Sequence, residues 1–162
     1  WRYKAGRGSA LGGMEWGSAV DATRAYFAIA DNGNPQTAGL HAVDLATGAR
    51  AWYSPPGWRK CAGGRGCTGA LSAAITVIPG VVFAGSMDGG IRAYSARDGA
   101  VIWEYDTNRE FETVNGVRAS GASINQAGPT VADGMVYVSS GYGSLGGRPG
   151  NVLLVFAVGE NR

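Results

Sequence analysis

The chain has 162 residues, 45% of them apolar and only 16% charged, with 28 glycines and a net charge of +2. That length holds one ordinary domain with a real core, and glycine at this level without a collagen period indicates many tight turns rather than disorder. The small, scattered positive charge gives no basis for nucleic-acid or anionic-membrane binding, and no apolar run approaches the roughly 18–20 residues a membrane helix needs.

Taken in order, the elements are short and separated by turn formers. Residues 1–4 read as the last strand of a unit that begins before Trp1, and the chain is expected to be a processed chain or a fragment. A glycine-rich link over 6–13 leads into strands at 14–20, 25–30, 40–45 and 49–53, with a turn-rich loop at 31–39. The loop over 54–69 follows and carries both cysteines, as Cys61-Ala-Gly-Gly-Arg-Gly-Cys67. That spacing does not match the usual zinc pairs and no second Cys or His pair accompanies it. Nor is there a Cys-x-x-Cys-His run for haem attachment. The glycine-rich spacer bends enough to close a small disulfide loop between Cys61 and Cys67, which suits an oxidising compartment. Two free thiols are the alternative, and the disulfide is the expectation.

A second set of strands is predicted at 71–77, 81–86, 91–95 and 100–105, turning at Pro79-Gly80, Asp88-Gly-Gly90 and Asp98-Gly99. Such dipeptides between β-rich runs are hairpin chemistry, because glycine accepts a positive φ. After a loop over 106–121, a third set has strands at 129–132, 135–140 and 152–157 and lacks a fourth. No window has a helical period over eleven or more residues.

These sets are one repeat. His41-Ala-Val-Asp-Leu-Ala-Thr-Gly-Ala-Arg-Ala-Trp52 returns as Arg92-Ala-Tyr-Ser-Ala-Arg-Asp-Gly-Ala-Val-Ile-Trp103, and Trp1, Trp52 and Trp103 stand 51 residues apart. Four short antiparallel strands at this interval predict an all-β fold of β-propeller blades, with a strand-ending tryptophan packing over the neighbouring blade. A β-sandwich is the competing fold, and the fixed tryptophan interval argues against it. The expected organisation is a partial propeller over 1–162: residues 1–4 ending a preceding blade, blades at 14–53 and 71–105, and a blade at 128–158 without its last strand. Three blades do not close a ring, which starts at about four. Further blades or other copies of the chain are therefore expected partners.

The run Ala42 to Trp52 (Ala-x-Asp-x-x-Thr-Gly-x-x-x-Trp) resembles the PQQ-type repeat of quinoprotein dehydrogenases. Gly12-Gly-Met-Glu-Trp-Gly-Ser-Ala-Val20, Pro79-Gly-Val-Val-Phe-Ala-Gly-Ser-Met-Asp-Gly89, Phe111-Glu-Thr-Val-Asn-Gly116 and Ser140-Gly-Tyr-Gly143 look like the polyvinyl-alcohol dehydrogenase branch. So does Pro149-Gly-Asn-Val-Leu-Leu154, which in that branch lies near the C-terminus. The resemblance runs over nearly the whole chain. It implies a periplasmic or secreted enzyme that oxidises alcohol groups with pyrroloquinoline quinone (PQQ) and calcium and passes electrons to a cytochrome c. Where the family has a glutamine before the second blade this chain has Ala70-Leu71, and its acidic residue after Ser-Ile is here Asn125.

A planar quinone needs an aromatic platform, donors for its carboxylates and a calcium held by oxygen ligands. At the mouth of a propeller, that places Trp16 as a stacking surface and Glu15 as a calcium ligand or the partner of an arginine. Asn125 and Gln126 enter the third blade in the equivalent position as donors to the cofactor, and Ser72 enters the second. The bland alternatives are packing for Trp16, an exposed charge for Glu15 and turn-capping amides for Asn125 and Gln126. Asp88 reads as a turn residue like Asp98 and Asp133, and His41 as structural. No aspartate occupies an inner position suited to a catalytic base, which leaves the base unassigned and blades outside this chain as its place. The competing reading is a non-catalytic propeller scaffold for protein–protein interaction.

Overall fold

The computed structural model describes residues 1–9, 13–31, 34, 36–57 and 66–159, and among them the regular structure is antiparallel strand apart from one 3₁₀ turn. The first sheet runs β1 (Ala19–Val20), β2 (Arg24–Ile29), β3 (Gly39–Asp44) and β4 (Arg50–Ser54), in chain order across the sheet. The second repeats it with β5 (Thr76–Ile78), β6 (Val81–Gly85), β7 (Gly90–Ser95) and β8 (Val101–Asp106). A small hairpin of β9 (Glu110–Phe111) and β10 (Ala119–Ser120) precedes a third sheet of β11 (Thr130–Ala132), β12 (Met135–Ser140) and β13 (Val152–Ala157). A 3₁₀ turn at Ser144–Gly146 lies in the β12–β13 connection.

The sheets stack face to face, as blades do. One core cluster joins Tyr26, Leu40, Ala42 and Trp52 of the first sheet to Val82, Ala84 and Tyr94 of the second. Another joins Ala73 and Ile91 to Ile124 and Val138, with Trp103, Tyr105 and Phe156 against it. The third strands β3 and β7 are covered on both faces and flanked on both edges, so five of their six residues are buried. Their sequences, Gly-Leu-His-Ala-Val-Asp and Gly-Ile-Arg-Ala-Tyr-Ser, are correspondingly apolar apart from one large polar side chain each.

The repeat extends to backbone detail. Both third-to-fourth strand pairings shift register at the same place, between Ala42 and Val43 and between Ala93 and Tyr94. Both following turns place glycine at positive φ, Gly48 at 73° and Gly99 at 75°, where a side chain would be strained. The tryptophans explain why. Trp52 lays its ring on Gly99 and donates from Nε1 to the Ala96 carbonyl at 2.9 Å, while the Arg24 guanidinium donates to the same carbonyl at 2.6 Å. Trp1 does the same one unit earlier, with its ring on Gly48 and Nε1 donating to the Leu45 carbonyl at 2.9 Å.

Several expectations need correction. Residues 1–4 are not in a strand; among the described residues they have no ladder partner, and the Trp1 ring and N–H hold them instead. The inner strands are much shorter than the predicted 14–20 and 71–77, covering only Ala19–Val20 and Thr76–Ile78. Their preceding residues bond across sheets: Ile75 N–H donates to the Gly17 carbonyl, and Ala73 forms a parallel bridge with Gln126. Small residues make this possible, since a Cβ at Gly128 would collide with the Ala74 carbonyl. The expected loop over 106–121 contains the β9–β10 hairpin, its turn held by the Thr113 and Asn115 side chains.

Candidate axial site

Three segments that precede the inner strands lie side by side across the three sheets. Gln126 N–H donates to the Ser72 carbonyl at 2.8 Å, and Ala74 N–H donates back to the Gln126 carbonyl at 2.9 Å. Gln126 holds this bridge at a positive φ of 64°, a left-handed backbone that is uncommon for a side-chain-bearing residue. Next to it, Ile75 N–H reaches the Gly17 carbonyl. These cross-links put equivalent residues of successive units in one row.

The row brings Glu15, Ser72 and Asn125 together. The Ser72 hydroxyl lies 2.7 Å from Glu15 Oε2 and 2.9 Å from Asn125 Oδ1, with Ser72 and Asn125 almost fully buried. Asn125 Nδ2 donates at 2.8 Å to the Ser144 carbonyl. Glu15 Oε1 is buried and has no hydrogen-bond partner among the described residues. One hydroxyl proton thus faces two acceptors, beside a third, the second Glu15 carboxylate oxygen, with no donor among the described residues. A buried acceptor left this way costs about 1–3 kcal/mol, which a cation or an outside donor would offset. Hard divalent cations take such oxygen sets. Among the described residues no three His, Cys, Asp or Glu side chains converge, so an ion here would rest on one carboxylate, a hydroxyl, an amide oxygen and groups from its ligand.

Trp16 follows Glu15 and is 40% exposed. Gln126 contributes its backbone to the bridge. Cys67 is in a disulfide; Cys61, its expected partner, lies outside the described residues.

A second polar cluster was not foreseen. Asp88 is buried, unlike the exposed turn residue Asp98, with Oδ1 accepting from Ser86 Oγ and from Gly90 N–H. Arg92 is 1% exposed and donates from Nη1 to Ser86 Oγ at 3.1 Å and from Nε to Glu104 at 3.2 Å. Gly57 covers the guanidinium so closely that a Cβ there would overlap it. The legible signal was positional, because Arg92 occupies the repeat place of His41. His41 is buried as well, its Nδ1 paired at 2.8 Å with the Tyr3 hydroxyl and its ring 4.7 Å from Tyr53. Burial, with Arg50 nearby, lowers its pKa from the ordinary 6.5 to about 4.

With this geometry in view, similarity to known proteins becomes informative. The family model PQQ_2, described as outer membrane protein assembly factor BamB, matches residues 17–153. A polyvinylalcohol dehydrogenase of Pseudomonas sp. is 44% identical over 98% of this chain, and one of Sphingopyxis sp. (strain 113P3) is 40% identical over 98%. The chain spans 27% of the length of each. Among solved structures, the quinohemoprotein alcohol dehydrogenase from Comamonas testosteroni superposes with a TM-score of 0.55 at 24% identity, over 80% of this chain and 17% of that one. That likeness shows the propeller fold.

Proposed function

Because this chain belongs to the PQQ_2 repeat family, we propose that it is part of a PQQ-dependent alcohol dehydrogenase of the polyvinyl-alcohol dehydrogenase type. The observation that carries this reading is the axial row of Glu15, Ser72 and Asn125, an acceptor-rich oxygen set beside the exposed ring of Trp16. The similarity to two polyvinylalcohol dehydrogenases over 98% of the chain supports it. Localisation is periplasmic or secreted, and electrons leave to a cytochrome c.

The residues divide the work. Glu15 and the Asn125 amide oxygen hold calcium, with Ser72 bridging them and turning its proton toward whichever oxygen the ion leaves free. Trp16 offers its face to the planar quinone. When bound, calcium and PQQ together supply a Lewis acid and a two-electron acceptor. Asn125 and Gln126, beside the cross-sheet bridge, would orient a bound quinone. The base that takes the alcohol proton belongs to blades outside these residues.

The test is reconstitution of the complete ring with PQQ and calcium, followed by dye-linked oxidation of alcohols. Activity should depend on both additions, and Glu15→Gln should lower calcium affinity by about tenfold or more while the chain stays folded. No oxidation with both present would overturn the reading. The assembly-factor description of the family model favours a second reading, a scaffold that binds proteins through its propeller. That reading predicts no calcium or PQQ binding at the axial row.

A further inference from the structure

The carboxamide of Asn125 sits in the orientation that leaves its own site short of protons. With Oδ1 toward Ser72, the single Ser72 hydroxyl proton faces both Oδ1 and Glu15 Oε2, at 2.9 and 2.7 Å. Turning the amide over would present NH₂ to Ser72 Oγ and leave the Ser72 proton to Glu15 Oε2 alone. What opposes that turn is the Ser144 carbonyl, 2.8 Å from Nδ2. A carbonyl only accepts, so it holds the nitrogen on its side and the oxygen on the other.

Ser144 heads the short 3₁₀ turn in the β12–β13 connection, and that turn carries backbone strain. Leu145 stands at φ 51°, ψ 36°, the left-handed region, although its side chain is exposed and no packing demands a leucine there. Such a conformation is unfavourable for a residue with a Cβ. The turn is tied at both ends to Ser123, two residues before Asn125. Arg148 N–H donates to Ser123 Oγ at 2.7 Å, and Tyr142 N–H donates to the Ser123 carbonyl at 3.1 Å. Gly147 N–H closes onto Ser144 O at 3.0 Å. Ser123 is fully buried and donates its own hydroxyl proton to the Met87 carbonyl. Turn and amide are therefore one clamped unit.

We infer that the 144–147 turn is a positioning element for the axial site. Its Ser144 carbonyl, presented by the strained Leu145, keeps the Asn125 amide oxygen facing Ser72, so the row stays an acceptor-rich set for a divalent cation. This rests on the proposed cation-binding role of that row. Ser144 acts through Asn125 and touches no reacting atom.

The test combines calcium calorimetry with NMR of the Asn125 side-chain amide in the full chain. Leu145→Gly adopts the left-handed region freely and should bind calcium as the unaltered chain does. Leu145→Pro, with φ fixed near −65°, should release the turn and weaken calcium binding by about tenfold or more. Asn125→Asp, whose two oxygens are equivalent, removes the need for orientation, so the same proline should cost less than about twofold in that background. Circular dichroism checks the fold. Should the proline variant fail to fold, Leu145→Val resists the left-handed region more mildly and should give a smaller loss with the same dependence on residue 125.

In calcium-free protein, the Asn125 amide protons should show contacts to residues 144–145 in the unaltered chain and lose them in the proline or valine variant. Equal calcium affinity in a folded Leu145→Pro or Leu145→Val, or an equal loss in both backgrounds at residue 125, would overturn the positioning role. So would amide contacts to Ser72 instead of Ser144. If the unaltered chain binds no calcium at all, the cation reading fails as a whole, whereas the amide contacts report separately whether the turn holds Asn125.

Discussion

His41 and Arg92 occupy one place in successive repeats, and each is a large polar side chain buried in a third strand. The two solve the problem of buried polarity differently. Arg92 pairs with Glu104 and the Ser86–Asp88 pair, whereas His41 is held neutral by burial. Tyr3 and Tyr53 flank its ring, with Arg50 adding to the depression and Asp31 opposing it. A histidine whose pKa falls from 6.5 to about 4 on folding binds fewer protons folded than unfolded in that window. Its contribution is complete above pH 6.5 and is lost as the pH falls toward 4, with a drop of about 2 kcal/mol by pH 5. Thermal melts between pH 7 and pH 5 should show this loss, and His41→Phe should flatten the slope. Sequence reasoning placed His41 as structural but overlooked Arg92 and the burial of Asp88. Residue type in a strand does not say whether a charge finds a partner, because the partners come from other strands.

At the scale of elements, the lock between units is the tryptophan on its glycine turn. Trp52 combines burial with an N–H bond to Ala96 across the sheet interface, so Trp52→Ala should destabilise the chain by about 3–5 kcal/mol in denaturant melts. Gly99→Ala strains a positive φ and drives a methyl into the Trp52 ring, which should cost about 1–3 kcal/mol. Trp1, more exposed on the same kind of turn, should matter less. The strands β2–β4 and β6–β8 were legible because alternation, Asp-Gly turns and the 51-residue interval agree. The inner segments were not. Ser72-Ala-Ala looks like a strand start, yet its hydrogen bonds go sideways to a neighbouring unit, and a pattern within one unit carries no trace of that.

For the whole molecule, the described residues leave apolar surface at the third sheet. Among them β13 pairs only with β12, and Leu153, Val155 and Val158 are 62%, 49% and 92% exposed. A groove of about 430 Å³ opens beside it between Phe83, Trp103, Val136 and Phe156. In the preceding interface the Ala96–Gly99 turn fills the corresponding place under Trp52. An open strand edge with an apolar face promotes association. Sedimentation of this chain should therefore show mass rising with concentration, and Leu153→Lys with Val155→Lys should suppress it. Concentration-independent monomer in the unaltered chain would contradict this.

The sequence alone determined the all-β class, the repeat interval and the place of Trp52 and Trp103 on the outer strands, since each rests on local turn chemistry or on periodicity. Only the tertiary structure decided that Glu15, Ser72 and Asn125 meet in one row and that the Ser144 carbonyl orients the amide. They come from three units up to 110 positions apart. Their meeting depends on how closely glycine and alanine let neighbouring backbones approach, a distance set by packing between sheets rather than by the order of residues within one.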